Sequence, residues 1–222
     1  MKICEIFTPK RADGEESRRR ILECALKLFA NHGLERTTVR QIAKEANANV
    51  SAISYYFGDK NGLYRAVYTE TMPCAIDDVD IFKKSEPTLE QVLYVLFGGF
   101  IEPLKQGELA KLCLRLHMRE MVEPTGAWSD TITNEIAPRR EFLLQALQNR
   151  LGLKQPDDDL QRLATSIVAM GVYLLCGRDV IEQFCPQIMD TEQALDETHA
   201  SLVRFAMSMV EAEITRRKAL SL

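Results

Sequence analysis

The sequence predicts an all-α fold, on three observations. Apolar residues recur at spacings of three and four along most of the chain, which is typical of amphipathic helices. No segment alternates apolar and polar residues between turn signals, as a half-buried strand would. Among the 222 residues, 46% are hydrophobic and 27% are charged, close to the averages of folded soluble domains. Disordered, collagen-like and disulfide-framework classes are therefore not favoured.

The first two helices are defined by their ends. An apolar stripe runs from Glu15 to His32, and Gly33 follows where a left-handed residue commonly ends a helix. The segment Thr38-Val39-Arg40-Gln41 has the S/T-x-x-E/Q form of a capping box, in which the two polar side chains satisfy backbone donors reciprocally. The second helix is therefore expected to begin at about Val39.

Two short helices are predicted next. Asn47 lies at a turn that requires tolerance of positive φ, and Asn49 is a favourable N-cap for a third helix that ends at Phe57. Asp59 caps a fourth helix that begins near Lys60. Further helices are expected at about 88–105, 108–122, 128–151 with an interruption at Pro138, 158–184 and 191–218.

The second and third helices have the features of a helix-turn-helix, a unit that places its second helix in the DNA major groove. Small Ala43 and Ala46 allow a close crossing, and Ile53 and Phe57 are expected to face the core. The opposite face is then free for base edges and phosphate oxygens. The side chains of Tyr55 and Lys60 are expected to be exposed. The predicted DNA contacts are Thr38, Arg40, Val50, Ser51, Ser54, Tyr55, Tyr56 and Lys60.

The charge distribution agrees with an anionic partner at one end. Residues 1–70 hold 12 Lys and Arg against 9 Asp and Glu, whereas residues 71–222 hold 16 against 23. Lys10 and Arg11 precede the first helix and are candidates for a flexible arm along a DNA groove. The run Arg18–Arg20 is expected to be a solvated face, with phosphate contact as the alternative.

These motifs resemble a known family. The run N-V-S-A-I-S-Y-Y-F-G-D-K-N-G-L-Y from Asn49 to Tyr64, with I-L-E-C-A-L-K-L-F-A-N-H-G from Ile21 to Gly33, resembles the DNA-binding domain of TetR-family transcriptional regulators over about residues 15–65. The segment L-R-L-H-M-R-E-M-V-E-P-T from Leu114 to Thr125 is similar to the CecR-like subgroup of that family. The resemblance implies a two-fold symmetric homodimer that represses transcription until a small molecule binds its C-terminal domain.

Three positions depart from the pattern of the family. Asn47 replaces the usual turn glycine and Asn49 the usual serine, and both keep the turn and cap chemistry. Ser54 stands where the family usually has a tyrosine, which removes a phosphate contact that Tyr55 replaces only in part. The resemblance also implies two domains, a DNA-binding domain of residues 1–65, ordered from about residue 15, and a helical ligand-binding and dimerisation domain of residues 66–222.

The C-terminal part suggests a dimer interface and an effector site. Residues 160–175 are apolar on nearly every side, which indicates a helix covered by its own core and by a partner, with the central helix of a monomer as the alternative. The homodimer is expected to use helices of about 158–184 and 191–218, in a four-helix arrangement. Arg119 and Glu120 are expected to form a surface pair, with entry into a pocket as the alternative. Candidate effector contacts, of types that are more often core, are Phe97, Phe100, Leu116, His117, Met121, Trp128 and Tyr173.

Other functions find little support. The chain lacks G-x-S-x-G, H-E-x-x-H, P-loop and G-x-G-x-x-G motifs, and its three histidines and six cysteines are scattered, so we expect no enzyme, no metal and no cofactor. The longest apolar runs are too short to span a membrane, which predicts a cytoplasmic protein. The remaining alternative is a helical ligand-binding or scaffold protein with a degenerate DNA-binding head.

Overall fold

A computed structural model describes residues 13–70, 87–126 and 132–220, and the regular structure in these ranges is helical throughout. The predicted all-α class is confirmed. Its α-helices, in chain order, are α1 (Asp13–Arg36), α2 (Val39–Glu45), α3 (Val50–Phe57), α4 (Lys60–Glu70), α5 (Leu89–Ile101), α6 (Glu108–Val122), α7 (Ala137–Leu151), α8 (Asp158–Cys176), α9 (Arg178–Phe184) and α10 (Glu192–Leu220).

These helices form two compact units. Among the described residues, unit 1 contains 13–70 and 106–126, and unit 2 contains 87–105 and 132–220. Helix α6 joins unit 1 because Ala110, Cys113 and Leu116 are buried in the same core as the apolar stripe of α1. The predicted boundary at residue 65 is a different division, because it separates a DNA-binding domain from a ligand-binding domain. It stays a prediction.

The caps of the short helices form as the sequence predicts. Thr38 and Gln41 make the reciprocal capping box, with N···O distances of 3.2 and 2.9 Å. Asn47 has a φ of 46°. The side chains of Asn49 and Asp59 accept backbone N–H groups of the helices they precede, at 3.1 and 2.7 Å. Local side-chain chemistry thus fixes where α2, α3 and α4 begin.

Gly33 differs from its predicted role as a left-handed cap. Its φ of 79° is positive as expected, but its ψ of 171° is extended, and helical turns resume up to Arg36. A Cβ atom at this position would lie 3.1 Å from Nη1 of Arg119, a tight approach. The positive φ is what requires glycine here, because the Arg119 guanidinium is the end of a flexible side chain and can move by a few tenths of an ångström.

Unit 2 is organised around α5, which packs against α7, α8 and α10. The predicted single helix 158–184 is wrong, because the chain bends by 72° between α8 and α9 at Gly177. A Cβ atom there would lie 2.7 Å from the Tyr173 ring, so glycine permits the bend. Pro138 lies in the first turn of α7 instead of interrupting a helix. Proline is tolerated there because backbone N–H groups in the first turn make no hydrogen bond within the helix.

In the part of the chain that the structure describes, no helix taken alone has the length and apolar composition needed to cross a bilayer. The bent pair α8 and α9 meets that test jointly.

Candidate nucleic-acid interface

The turn between α2 and α3 brings two short helices together on the core of unit 1. Ile42 and Ala43 of α2 are buried, as are Ala46 at its C-terminal end and Ile53 of α3. The small alanine side chains let the helices cross closely, as predicted. Because α3 buries only one face, its other face is left to solvent.

The solvent-facing side of α3 carries the residue types that the sequence assigned to it. Val50 is 41% exposed, Ser51 and Ser54 are exposed, and Tyr55 is 83% exposed. Their predicted orientation is confirmed, whereas their contact with DNA stays a prediction.

The predicted DNA contacts outside α3 differ in how exposed their side chains are. Arg40 and Thr38 are exposed, and the Thr38 hydroxyl donates to Gln41 Oε1 at 2.8 Å, so its proton is already used. The expectation that Lys60 is exposed is wrong. Lys60 is half-buried, and its ammonium donates to the Leu34 carbonyl at 2.9 Å, which ties the start of α4 to the bend in α1. Two of its three N–H donors remain for a phosphate.

A row of aromatic rings lines the end of α3. The Tyr55 and Tyr56 rings meet edge to face at 5.1 Å, and the Tyr56 and Phe57 rings at 6.1 Å. Tyr56 and Phe57 are both half-buried, so Phe57 packs beside the core instead of entering it fully. The guanidinium of Arg18 lies over the Phe57 ring at 5.1 Å from its centre.

The Arg18 guanidinium is also held by hydrogen bonds to Glu70. Its Nη1 and Nη2 atoms donate to the two carboxylate oxygens of Glu70 at 2.9 and 2.5 Å. This bidentate hydrogen bonding raises the pKa of Arg18. The run Arg18–Arg20 is therefore not a uniform solvated face, because its first member links α1 to the ends of α3 and α4.

The expected surface pair of Arg119 and Glu120 is also wrong. Arg119 pairs instead with Glu123 at 3.1 Å, while Glu120 is fully buried. The Glu120 carboxylate accepts the Tyr64 hydroxyl and the Thr125 backbone N–H, each at 2.7 Å. Burial, and then this hydrogen bond, raise the pKa of Tyr64. Glu120 thus joins α4 to the loop after α6.

A spacing in the sequence could have located Glu120. It lies three residues after His117 and seven after Cys113, both of which are buried on α6, so it belongs to the same stripe.

His117 places Nδ1 2.6 Å from the Cys113 carbonyl, and its ring packs on that of Tyr68 at 4.4 Å. Burial lowers the pKa of His117, so the neutral ring donates through Nδ1, and its buried Nε2 has no hydrogen-bond partner among the described residues.

The predicted effector contacts fall in different units. Phe97 is buried on α5, and Phe100 packs where a side chain on Gly171 would stand. Tyr173 of the same unit is 52% exposed, so it does not line an interior. Unit 1 holds buried His117, buried Leu116 and exposed Met121. Trp128, Lys10 and Arg11 lie outside the described residues, and the effector contacts stay a prediction.

Within residues 13–70, 87–126 and 132–220, no group of three or more His, Cys, Asp or Glu side chains is placed to hold a metal ion. A groove of about 640 Å³ opens between the start of α5 and α10. It contains none of the predicted effector contacts, and its lining includes Glu90, Arg204, Met207 and Glu211.

Two protein-family models match this chain. Residues 21–67 match the bacterial regulatory proteins of the tetR family. Residues 89–209, more than half of the chain, match the C-terminal domain of the HTH-type transcriptional dual regulator CecR. Together the two matches cover both units that the structure describes.

Individual relatives agree with these models. The CecR protein of Shigella flexneri is 27% identical over 60% of this chain and 64% of its own, so the match spans less than two thirds of its length. The HTH-type transcriptional repressor AcnR of Corynebacterium efficiens is 26% identical over 71% of this chain and 76% of its own. The solved SmeT–triclosan complex superposes with a TM-score of 0.56 at 21% identity, over 83% of this chain and 90% of SmeT, and supports the fold.

Proposed function

The chain belongs to the TetR family of bacterial regulatory proteins, within the group that has the CecR C-terminal domain, and from this membership we propose a ligand-responsive transcriptional repressor. It binds a near-palindromic operator as a homodimer and is released by a small molecule. The sign of regulation follows relatives such as AcnR, which is named a repressor. A protein with this role acts in the cytoplasm, where its DNA lies.

One observation carries the proposal, namely the solvent-facing side of α3. Ser51 and Ser54 offer hydroxyl groups to base edges or phosphates, and Val50 offers an apolar contact to a thymine methyl group. Tyr55 and Arg40 lie at the flanks of this surface, where they reach the sugar–phosphate backbone or a guanine edge. A helix of eight residues with one fully buried side chain fits the major groove without rearrangement.

The homodimer is proposed to form through α8, α9 and α10. The large apolar side chains of Tyr173, Val180, Phe184 and Phe205 on these helices are all about half or more exposed in the single chain. Exposed apolar side chains of this size on three consecutive helices favour a surface that a partner covers. Two copies related by a two-fold axis would cover them. Half-sites one turn of DNA apart would require the two α3 helices of such a dimer to lie roughly 34–36 Å apart.

Sedimentation at micromolar concentration tests the dimer. The parent chain is expected to have the mass of a dimer, and Phe205→Glu is expected to shift it to the monomer. Val122→Glu is the matched control, because Val122 is 81% exposed but lies in unit 1. A monomer mass for the parent chain would contradict the interface.

An effector is proposed to act through the helices of the second predicted domain. SmeT has been solved with triclosan, an aromatic compound, on the same fold. In this chain, Nε2 of His117 is buried and has no hydrogen-bond partner among the described residues, so a ligand that reaches this atom would donate a hydrogen bond to it. An apolar molecule with one hydrogen-bond donor is therefore the class to screen first, by its ability to release bound DNA.

The other classes of function are not favoured. The family models and the relatives named above describe transcriptional regulators, which are not enzymes. The alternative of a scaffold with a degenerate DNA-binding head is likewise not favoured, because α3 keeps an exposed polar face and intact caps.

A titration by fluorescence anisotropy tests the proposal. DNA from upstream of the protein's own coding region is titrated with the full chain over a range of salt concentrations, with scrambled DNA of the same composition as the control. We expect sequence-selective binding that weakens steeply as salt rises, because several Lys and Arg side chains per dimer displace counterions from phosphates. Absence of binding even at low salt would favour the scaffold.

A further inference from the structure

We propose that Arg18 is a positioning residue for α3, and that Glu70 holds Arg18 in place for this purpose. The inference rests on the proposed function and deepens it. Arg18 lies on α1, Phe57 is the last residue of α3, and Glu70 is the last residue of α4. One side chain thus joins three helices at the end of α3.

The need for such a residue follows from how α3 is held. It has eight residues, and Ile53 is its one fully buried side chain. A helix this short is marginal without tertiary contacts. Its N-terminal end is fixed by the Asn49 cap, whereas its C-terminal end carries two rings, Tyr56 and Phe57, that the core covers only in part, so a further neighbour is needed to fix their orientation.

Arg18 supplies that neighbour. A guanidinium is planar, so it can lie on an aromatic face while its edge donates two parallel hydrogen bonds to a carboxylate. Both contacts are present, with the cation 5.1 Å from the centre of the Phe57 ring and the two bonds to Glu70 at 2.9 and 2.5 Å. From Phe57 the edge-to-face contacts lead through Tyr56 to Tyr55, the most exposed of the predicted DNA contacts.

The competing role for Arg18 is direct contact with a DNA phosphate. Three variants, Arg18→Lys, Glu70→Gln and Arg18→Ala, distinguish this role from the positioning role. Arg18→Lys keeps the charge but loses the planar stack and the bidentate bond, so a positioning role predicts weaker operator binding, by about threefold per protomer and about tenfold for a dimer. Glu70→Gln removes a negative charge, which by electrostatics alone would strengthen DNA binding. The positioning role predicts the opposite sign, a loss similar to that of Arg18→Lys.

Arg20 and Glu16 provide a matched control on the same helix. They form a looser pair at 3.6 Å, with each side chain about half exposed, and Arg20→Lys and Glu16→Gln are expected to leave operator affinity unchanged or slightly stronger. The salt dependence of binding is measured for every variant. If Arg18 contacts phosphate, Arg18→Ala lowers the salt slope by about one per protomer, or about two for the dimer, and Glu70→Gln binds as well as the parent chain. That pattern would overturn the proposal.

A second readout does not depend on DNA. The full chain is labelled with 3-fluorotyrosine at its six tyrosines, and the ¹⁹F signals of Tyr55 and Tyr56 are assigned by Tyr→Phe variants. Arg18→Lys and Glu70→Gln are expected to shift or broaden the Tyr56 signal, and Glu16→Gln is not. Unchanged signals would refute the positioning role. Failure of the parent chain to bind any operator would instead refute the proposed function, while the ¹⁹F result still decides what Arg18 does.

Discussion

Replacing Glu120 with alanine is the change to which unit 1 is expected to be most sensitive among its polar side chains. The carboxylate is fully buried and joins Tyr64 on α4 to Thr125 in the loop after α6. Its removal leaves the buried Tyr64 hydroxyl without this acceptor and the Thr125 N–H without its bond at 2.7 Å. The loss of stability therefore has two causes. The buried Tyr64 hydroxyl loses its acceptor, and hydrogen bonds to a charged group are lost.

The magnitude follows from these two contributions. An orphaned buried hydroxyl costs about 1–3 kcal/mol, and each lost hydrogen bond to a charge about 1.5 kcal/mol or more. Removing the buried charge recovers part of its desolvation cost. We expect Glu120→Ala to lower the free energy of unfolding by about 2–4 kcal/mol. Glu123→Ala, whose side chain is 68% exposed and pairs with Arg119, should cost less than about 1 kcal/mol.

Urea unfolding followed by circular dichroism measures both values. A double-mutant cycle with Tyr64→Phe then isolates the hydrogen bond, and we expect a coupling energy of about 1–2 kcal/mol between Tyr64 and Glu120. The reasoning would be refuted if Glu120→Ala were no more destabilising than Glu123→Ala, or if the two changes in the cycle were additive.

Three further outcomes are expected. Tyr55→Ala should weaken operator binding about tenfold in an anisotropy titration while leaving the free energy of unfolding within about 0.5 kcal/mol of the parent value; equal affinity would remove Tyr55 from the interface. Val50→Ala should change which operator is preferred in a selection from randomised DNA, whereas an unchanged consensus would show that Val50 reads no base. Hydrogen bonds from Arg217 hold the pKa of Asp157 below its ordinary value of 3.8, so this pair stabilises unit 2 at neutral pH and its contribution is lost as the pH falls below about 4. The difference in urea midpoint between the parent chain and Arg217→Met should then shrink in acid, and a difference independent of pH down to pH 2 would contradict the assignment.

The sequence predicted those features of unit 1 that are set within a few residues. The capping box at Thr38, the positive φ of Asn47 and the caps at Asn49 and Asp59 depend on local chemistry, and all are present. The exposed face of α3 followed from the helical period once Ile53 was assigned to the core. Such features need no knowledge of distant partners, and this is why they could be read from one sequence.

Features that depend on distant partners were missed. Arg18 donates to Glu70, 52 positions away in the sequence, and Lys60 donates to Leu34, 26 positions away. Local patterns do not show such partners, so both side chains were predicted to be exposed to solvent. Glu120 looked like a surface residue because of its charge, although its spacing placed it on the buried stripe of α6. A polar residue within an apolar helical stripe is thus the pattern that indicates a buried, hydrogen-bonded side chain.

The bend at Gly177 was missed for a related reason. Glycine inside an apolar run is tolerated in a helix, and the need for it appears only when the Tyr173 ring is seen against its backbone. The predicted effector contacts show the same limit. Helical spacing assigned Phe97 and His117 to buried positions correctly but could not show that they belong to different units.

Site-specific photocrosslinking tests the central claim most directly. A benzoylphenylalanine replaces Tyr55 at the solvent-facing end of α3, or Tyr94 on α5, which is 59% exposed in unit 2. Irradiation with labelled operator is expected to yield a protein–DNA adduct from position 55 that excess unlabelled operator competes away, and none from position 94. Operator binding by the position-55 protein without an adduct, or equal adducts from both positions, would contradict the assignment of α3 as the DNA-contacting helix.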